Sequence, residues 1–503
     1  MARYPRMVVN GTLALALVLL AGGFFACQRP AEAKRAEHLR VFFSNETENE
    51  LYPCYCRSHA LGGLGRRGSL IAQASSSPTL VVDAGNFSAR RAGNVYDEFK
   101  QDYLLRVYDL LGYAALNVGP MEVARGKTAL LDLDTRAKHK LVSANVVDST
   151  GTLLLQPYVI TEVTSPDGKA LKVGIVGLIA EQDNIPAKNP SDILTTTEPL
   201  KAFGAIWPEL ERQTDIQVVL SQLNDSEVTT LTAQYPGVDL VLGGPNWLQN
   251  VQMQPWKVSS AVVAKVGTRG KYSGEVSLDL DTTGRHHISV ANFTGQVTEL
   301  NYEVPDNPAV NEILDEFKQG LRQGRVTQDI YEPRMADAQR GFGGSIYCQE
   351  CHGAIYSGWL KTRHNQALQT LVAKNEEHNP GCLECHTVGY GEPDGYAAKR
   401  ETYILANVQC ESCHGAGAEH MMLATKWTHT ELQTKPTDWL VPSPKPQADT
   451  CTKCHQEDQD PHWKNGVWPY AEIVPQIGCS QWVTEENSEW LRSLRPAPVS
   501  KVP

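Results

Sequence analysis

At 503 residues the chain is too long for one compact core, and roughly 100–200 residues per domain predicts two to four units. Its 41% hydrophobic and 20% charged content is that of a globular protein and excludes disorder over a whole domain. A formal net charge of −11 leaves no basic stripe to offset phosphate repulsion, which excludes nucleic acid or an anionic membrane surface as the main partner.

Residues 1–27, "MARYPRMVVNGTLALALVLLAGGFFAC", place Arg3 and Arg6 ahead of an apolar run from Met7 to Phe25. This is the layout of a secretory signal peptide and predicts an exported protein. The ending on Ala26 and Cys27 resembles a bacterial lipoprotein signal, in which that cysteine carries the lipid, although Phe24 stands where leucine is usual. An ordinary cleaved signal and an uncleaved anchor are the alternatives. The expected location is therefore the periplasm, outer membrane or cell surface, with a membrane tether through lipidated Cys27. No later apolar run reaches the ~20 residues a spanning helix needs.

Residues 38–300 alternate short apolar strands with helical stretches. "LRVFFS", "TLVVDAG", "YAALNVG", "KVGIVGL", "IQVVLSQ" and "VDLVLGG" are β-rich and end in Gly, Ser or polar residues. Loops at the carboxyl ends of such strands are where α/β folds place ligands. Within the same segment Cys54 and Cys56 lie one residue apart beside Arg57, a pair that predicts a metal or redox dithiol or, alternatively, a disulfide to Cys479 with one thiol buried.

In order, "GGLGRRGSLI", "VVDAGNF", "ALNVGPMEVARG", "VVLSQLND", "VDLVLGGPNW" and "VAKVGTRGKYSGEVSLDLD" resemble the metallophosphoesterase superfamily, in particular its 5'-nucleotidase and UDP-sugar hydrolase branch. The resemblance implies an α/β fold, a β-sandwich flanked by helices. The family's metal ligands do not recur: its D-x-H is replaced within "SNETENE", its G-D by Gly85 and Asn86, and its G-N-H-E by Gly119, Pro120, Met121 and Glu122. Its strand-end His is Gln222 and its G-H-x-H is Gly244 to Trp247. A two-metal hydrolase needs those groups to activate water, so the expectation is a domain without a working metal site, a scaffold or docking module. A hydrolase with rebuilt ligands, using Asp83, Asn86 or Glu122, is the alternative.

Residues 301–340 predict a helical linker. "DNPAVNEILDEFKQGLRQ" has an Asp/Pro start and apolar residues at helical spacing, and "YEPRMADAQRGFGG" marks a Pro/Gly boundary.

Eight of the 12 cysteines then fall in four C-x-x-C-H motifs: Cys348, Cys351 and His352; Cys382, Cys385 and His386; Cys410, Cys413 and His414; Cys451, Cys454 and His455. Two thiols on one turn can add to the vinyl groups of a haem while the adjacent His faces the iron. The motifs predict four covalently attached c-type haems with those histidines as proximal ligands. Their first cysteines are 34, 28 and 41 residues apart, so little chain serves each haem and 341–482 is expected to be a mostly helical, haem-packed domain. "IYSGWLKTRHNQALQTLVAK" has a helical period, whereas "TVGYGEPDGY" and "GAGA" are turns. His364, His378, His420, His429 and His462 are the candidates for the distal positions.

"GWLKTRH" and "VQCESCHGAGAEH" resemble the tetrahaem cytochrome c family typified by the electron carrier of ammonia-oxidising bacteria, over about Gly341 to Ser480. The resemblance implies that His364 and His420 are distal ligands and that the partners are redox proteins in an extracytoplasmic respiratory chain. Relatives carry I-x-H after the fourth motif, where this chain has "PQIGCS" with Cys479. A thiolate there would favour bond-breaking chemistry, the basis of an alternative reading as a reductase of a small inorganic substrate. A structural thiol at Cys479, with His462 as ligand, is the other possibility. Residues 483–503 form a Pro-rich tail.

Overall fold

The computed structural model describes residues 37–53, 60–74, 77–89, 94–138, 140–164, 168–182, 192–244, 254–282, 288–325, 341–397, 400–428 and 448–456. Expectations placed on Cys27, Cys54, Cys56, Pro245–Trp247, His429, His462, Cys479 and the tail lie outside these residues.

The strands are β1 (His38–Ser44), β2 (Thr79–Asp83), β3 (Ala115–Asn117), β4 (Leu141–Val142), β5 (Val146–Asp148), β6 (Tyr158–Thr164), β7 (Ala170–Ile179), β8 (Leu194–Thr196), β9 (Ile216–Gln222), β10 (Leu240–Gly243), β11 (Trp256–Val258), β12 (Ala261–Ala264), β13 (Tyr272–Asp281) and β14 (Ser289–Glu299). They build two six-stranded sheets, ordered β14-β13-β1-β2-β3-β4 and β11-β12-β10-β9-β7-β6, while β5 and β8 form a separate antiparallel pair. In the first sheet β1 to β4 are parallel and β13 and β14 close the edge antiparallel; in the second β7, β9, β10 and β12 are parallel and β6 and β11 are antiparallel edges.

Strand alternation explains the layering. Leu39, Val41 and Phe43 of β1 meet Val173 and Ile175 of β7 and Val218 and Leu220 of β9 in the core between the sheets. Their neighbours point outward: Phe42 and Val81 join a second core, and Val176, Val219 and Val241 join a third. Helices cover both outer cores. On the first sheet lie α1 (Leu64–Ala72), α2 (Val95–Leu110), α3 (Pro120–Val123) and α4 (Lys127–Arg136); on the second, α5 (Pro199–Gln213) and α6 (Asp225–Gln234). The result is the expected helix-flanked β-sandwich.

The connecting helix, α7 (Pro308–Arg322), begins where expected, with Asn307 Oδ1 accepting from the Ala309 and Val310 amides. It is not a spacer. Val310, Leu314, Phe317 and Leu321 are buried in the core of the first domain, because its apolar stripe completes the layer formed by α1 and α2.

Beyond it come α8 (Ser345–Trp359), a 3-10 turn (Arg363–Gln366), α9 (Ala367–Val372), α10 (Pro380–His386), a second 3-10 turn (Arg400–Leu405), α11 (Cys410–His414), α12 (Ala418–Thr428) and α13 (Ala448–Thr452). The helical period read across 355–374 is broken after Trp359. Its indole Nε1 donates to the Val408 carbonyl at 2.9 Å, and the Val408 amide donates to the His364 carbonyl at 3.2 Å, which turns the chain between them. Among the described residues no helix is long and apolar enough to cross a membrane.

Candidate functional site

Each C-x-x-C-H run sits on a short helix or turn, with a local reason for its shape. In α8 the helical dihedrals break at His352 (φ −118°, ψ 38°). Asn379 caps α10 through its side chain and Pro380 occupies the first turn, where its missing N–H costs nothing. Gly415, at φ 83°, ends α11. In the fourth motif the Cys454 and His455 amides both donate to the Cys451 carbonyl, at 3.2 and 2.9 Å, closing one turn around the two thiols.

A residue that the sequence reading passed over organises the first and third motifs. Glu411, one of the two variable positions of "CESCH", is buried and accepts from the amides of Gly343 (3.0 Å), Gly344 (2.8 Å) and Gly417 (2.8 Å). The glycine clusters "GFGG" and "GAGA", read as a boundary and a turn, converge on this carboxylate. Next to it, buried Gln409 accepts from the Ser345 amide at 2.6 Å and donates to the Ile404 and Ala406 carbonyls.

The histidines gather in two groups. His352 and His420 face each other with ring centroids 6.5 Å apart and planes 22° apart, and His414 is near enough to His352 to oppose its protonation. His364 and His455 are 6.0 Å apart at 58°, with His386 near His364. The thiols follow the same pairing, Cys348 lying beside Cys410 and Cys385 beside Cys454. The first motif is thus beside the third, and the second beside the fourth. His378 is exposed beside Glu377 and belongs to neither group, so the structure does not bring it to a distal position.

This arrangement fits covalently bound haem. Two imidazoles sharing one metal ion from opposite sides, each with a metal–nitrogen bond of about 2 Å, have ring centroids about 6 Å apart. Both facing pairs match that separation. The predicted distal ligands are the ones that face motif histidines: His420 opposite His352, and His364 opposite His455. His386 Nδ1 lies 2.8 Å from the Ala367 carbonyl, which fixes the tautomer and leaves Nε2 to bind metal. Burial, then the neighbouring histidines, pushes His352, His364 and His420 below the usual imidazole range, and burial does the same to His386. Neutral imidazole is the ligating form.

At the strand ends of the first domain the residues standing in for metal ligands bond to one another. Gln222 Nε2 donates to Asn45 Oδ1 (2.7 Å) and to the Ala84 carbonyl (2.9 Å), and Asn45 Nδ2 donates to the Gly244 carbonyl. Glu122 accepts from the amides of Asn86, Ser88 and Gly119 at 2.7–2.9 Å. Asp83 accepts from Ser44, Tyr108 and the Gly85 amide, and burial holds its carboxyl up at about 6 against those hydrogen bonds. Asn86 retains a left-handed backbone at φ 56°. Among the described residues no group of three or more His, Cys, Asp or Glu side chains is placed to hold a bare metal ion.

Comparison with known proteins divides the chain in the same way. Residues 347–415 match the family model described as cytochrome c554 and c-prime. Cytochrome c-554 of Nitrosomonas europaea is 26% identical over 160 residues, covering 28% of this chain and 68% of that protein. Snake venom 5'-nucleotidase of Gloydius brevicauda is 24% identical over 335 residues, 60% of this chain, and the chain spans about half (55%) of that relative's length. The crystal structure of the calcineurin-like phosphoesterase YfkN from Bacillus subtilis aligns at a TM-score of 0.47 and 21% identity, over 56% of this chain and 97% of that one. The chain thus joins a segment similar to 5'-nucleotidases to a region similar to cytochrome c554, and the second resemblance implies covalently bound c-type haem.

Proposed function

We propose that this protein is an exported electron carrier with four covalently attached haems, working with redox partner proteins in an extracytoplasmic respiratory chain. The observation that carries this reading is the pair of facing imidazoles, His352 with His420 and His364 with His455, in groups that bring the four attachment motifs together two by two. Haem bound here supplies a reversible one-electron couple. The chain's own residues do the rest. Cys348, Cys351, Cys382, Cys385, Cys410, Cys413, Cys451 and Cys454 would hold the groups, and the paired imidazoles, His352 with His420 and His364 with His455, would leave no position there for a small molecule. With the first motif beside the third and the second beside the fourth, groups held there would be close enough to exchange electrons.

The first domain serves as a scaffold without hydrolytic activity. Support comes from the cleft, where Asn45, Asn86, Glu122 and Gln222 are committed to one another and to backbone groups, so a metal ion would have to displace several buried hydrogen bonds. Lipidation at Cys27 would tether the whole to a membrane.

Low-temperature electron paramagnetic resonance of the oxidised protein, quantified against total haem iron, tests the carrier reading. Four low-spin irons support it. A stoichiometric high-spin iron, or a thiolate-type signal lost in Cys479→Ser, supports the reductase instead. Phosphate release from nucleotides upon addition of Mn²⁺ or Zn²⁺ would overturn the scaffold assignment.

A further inference from the structure

The second attachment motif is fastened to the first domain. Asn379, which caps the helix carrying Cys382 and Cys385, accepts a 2.6 Å hydrogen bond from the hydroxyl of Tyr96 on α2. One turn earlier, Glu376 has a side chain only 1% exposed, and its Oε1 lies 2.7 Å from Lys318 Nζ on α7. The same carboxylate accepts from Asn379 Nδ2 at 2.8 Å, so cap and ion pair form one unit. Lys318 also lies over the Tyr52 ring, 4.6 Å from its centroid, which fixes the ammonium against the domain it comes from.

A buried ion pair at a domain boundary is a poor device for adhesion, since desolvation offsets most of its attraction. Its consequence is electrostatic. Glu376 is the largest charge acting on the Cys382 thiol, opposed by Lys100, Lys374 and Lys318. Two of these three cations, Lys100 and Lys318, belong to the first domain. A haem joined to Cys382 and Cys385 would therefore feel the carboxylates of Glu376 and Glu384 together with cations from another domain. In a medium of low dielectric such charges weigh directly on a one-electron couple.

Resting on the carrier reading above, we propose that Lys318 and Glu376 are positioning residues for the haem attached at Cys382 and Cys385. Through them the phosphoesterase-like domain sets that haem's potential and so acts as part of the electron carrier.

The test is a spectroelectrochemical titration of the full-length, haem-loaded protein, with the relevant step assigned by its loss in a Cys382→Ala, Cys385→Ala variant. Lys318→Met leaves the carboxylate uncompensated, which favours the ferric form. That step is expected to fall by about tenfold in its equilibrium constant, about 59 mV for one electron. Glu376→Gln is expected to raise it by a similar factor, and Lys318→Arg to leave it near the wild type. The other steps stay in place. Packing damage would move both variants in one direction, so same-sign shifts, or no shift in either, overturn the proposal. If Lys318→Met does not accumulate, Glu376→Gln decides alone, because its amide oxygen still accepts from Asn379. Failure of the carrier reading looks different: the wild-type protein would then lack four reversible c-type haem transitions.

Discussion

The first domain fills its interior with its own side chains, whereas the region after Gly341 gathers histidines and thiols in place of a large apolar core. Between the two sheets, Leu39, Val82, Ile175, Leu220 and Leu240 are fully excluded from water. In the second region the apolar cluster formed by the described residues is small, centred on Leu368, Leu371, Leu383, Val388 and Tyr396. A core of that size does not offset the conformational entropy of a domain. The difference teaches that one half is specified by hydrophobic pattern, whereas the other, carrying the proposed haems, would be specified by covalent attachment and metal ligation.

The largest effect follows from breaking that second mode. Protein made without haem attachment should keep the first domain folded and lose the second. Limited trypsin digestion should then leave a resistant fragment ending near Arg325, while the loaded protein resists beyond it. Equal resistance of both regions in the haem-free chain would remove the contrast. Next, Leu220→Ala opens a cavity between the sheets and should cost the first domain about 4 kcal/mol, with the haem spectrum unchanged. Glu411→Ala should do the reverse. It strands three glycine amides and should cost about 3 kcal/mol, seen as early loss of the Soret signal on heating. Glu411→Gln, which keeps one acceptor oxygen, should recover part of this.

The same contrast explains what the sequence discloses. The six quoted strand segments all correspond to observed strands, because buried parallel strands are short apolar runs with polar ends. Strand β14, half exposed along "SVANFTGQVTE", has no such run and is not among the strands read from the sequence. The cysteines and motif histidines were legible because covalent attachment fixes their spacing. His364 and His420 were reached by resemblance, but which motif each faces is a matter of tertiary packing. Glu411, Gln409, Asn379 and Glu376 carry no sequence signal of their own. Their long-range partners lie 58 to 283 positions away, and a lone Glu inside C-x-x-C-H is, by composition, a surface residue.

The mildest test concerns whether the first domain's stability responds to pH through a residue unconnected with haem. Asp239 is buried just before β10, where its carboxylate accepts from the Gln217 amide at 2.9 Å, and burial pushes its carboxyl up to about 7. An unfolded aspartate titrates near 4. The folded chain therefore holds this proton more tightly, and the stability it confers is fully present below about pH 4 and lost as pH rises through 7. Asp239→Asn keeps an oxygen for Gln217 and has no proton to lose. Its melting temperature, followed by far-ultraviolet circular dichroism, should equal the wild type's at pH 4 and exceed it at pH 8. A difference independent of pH would mean that Asp239 contributes by packing, and would leave the first domain's pH response to Asp83.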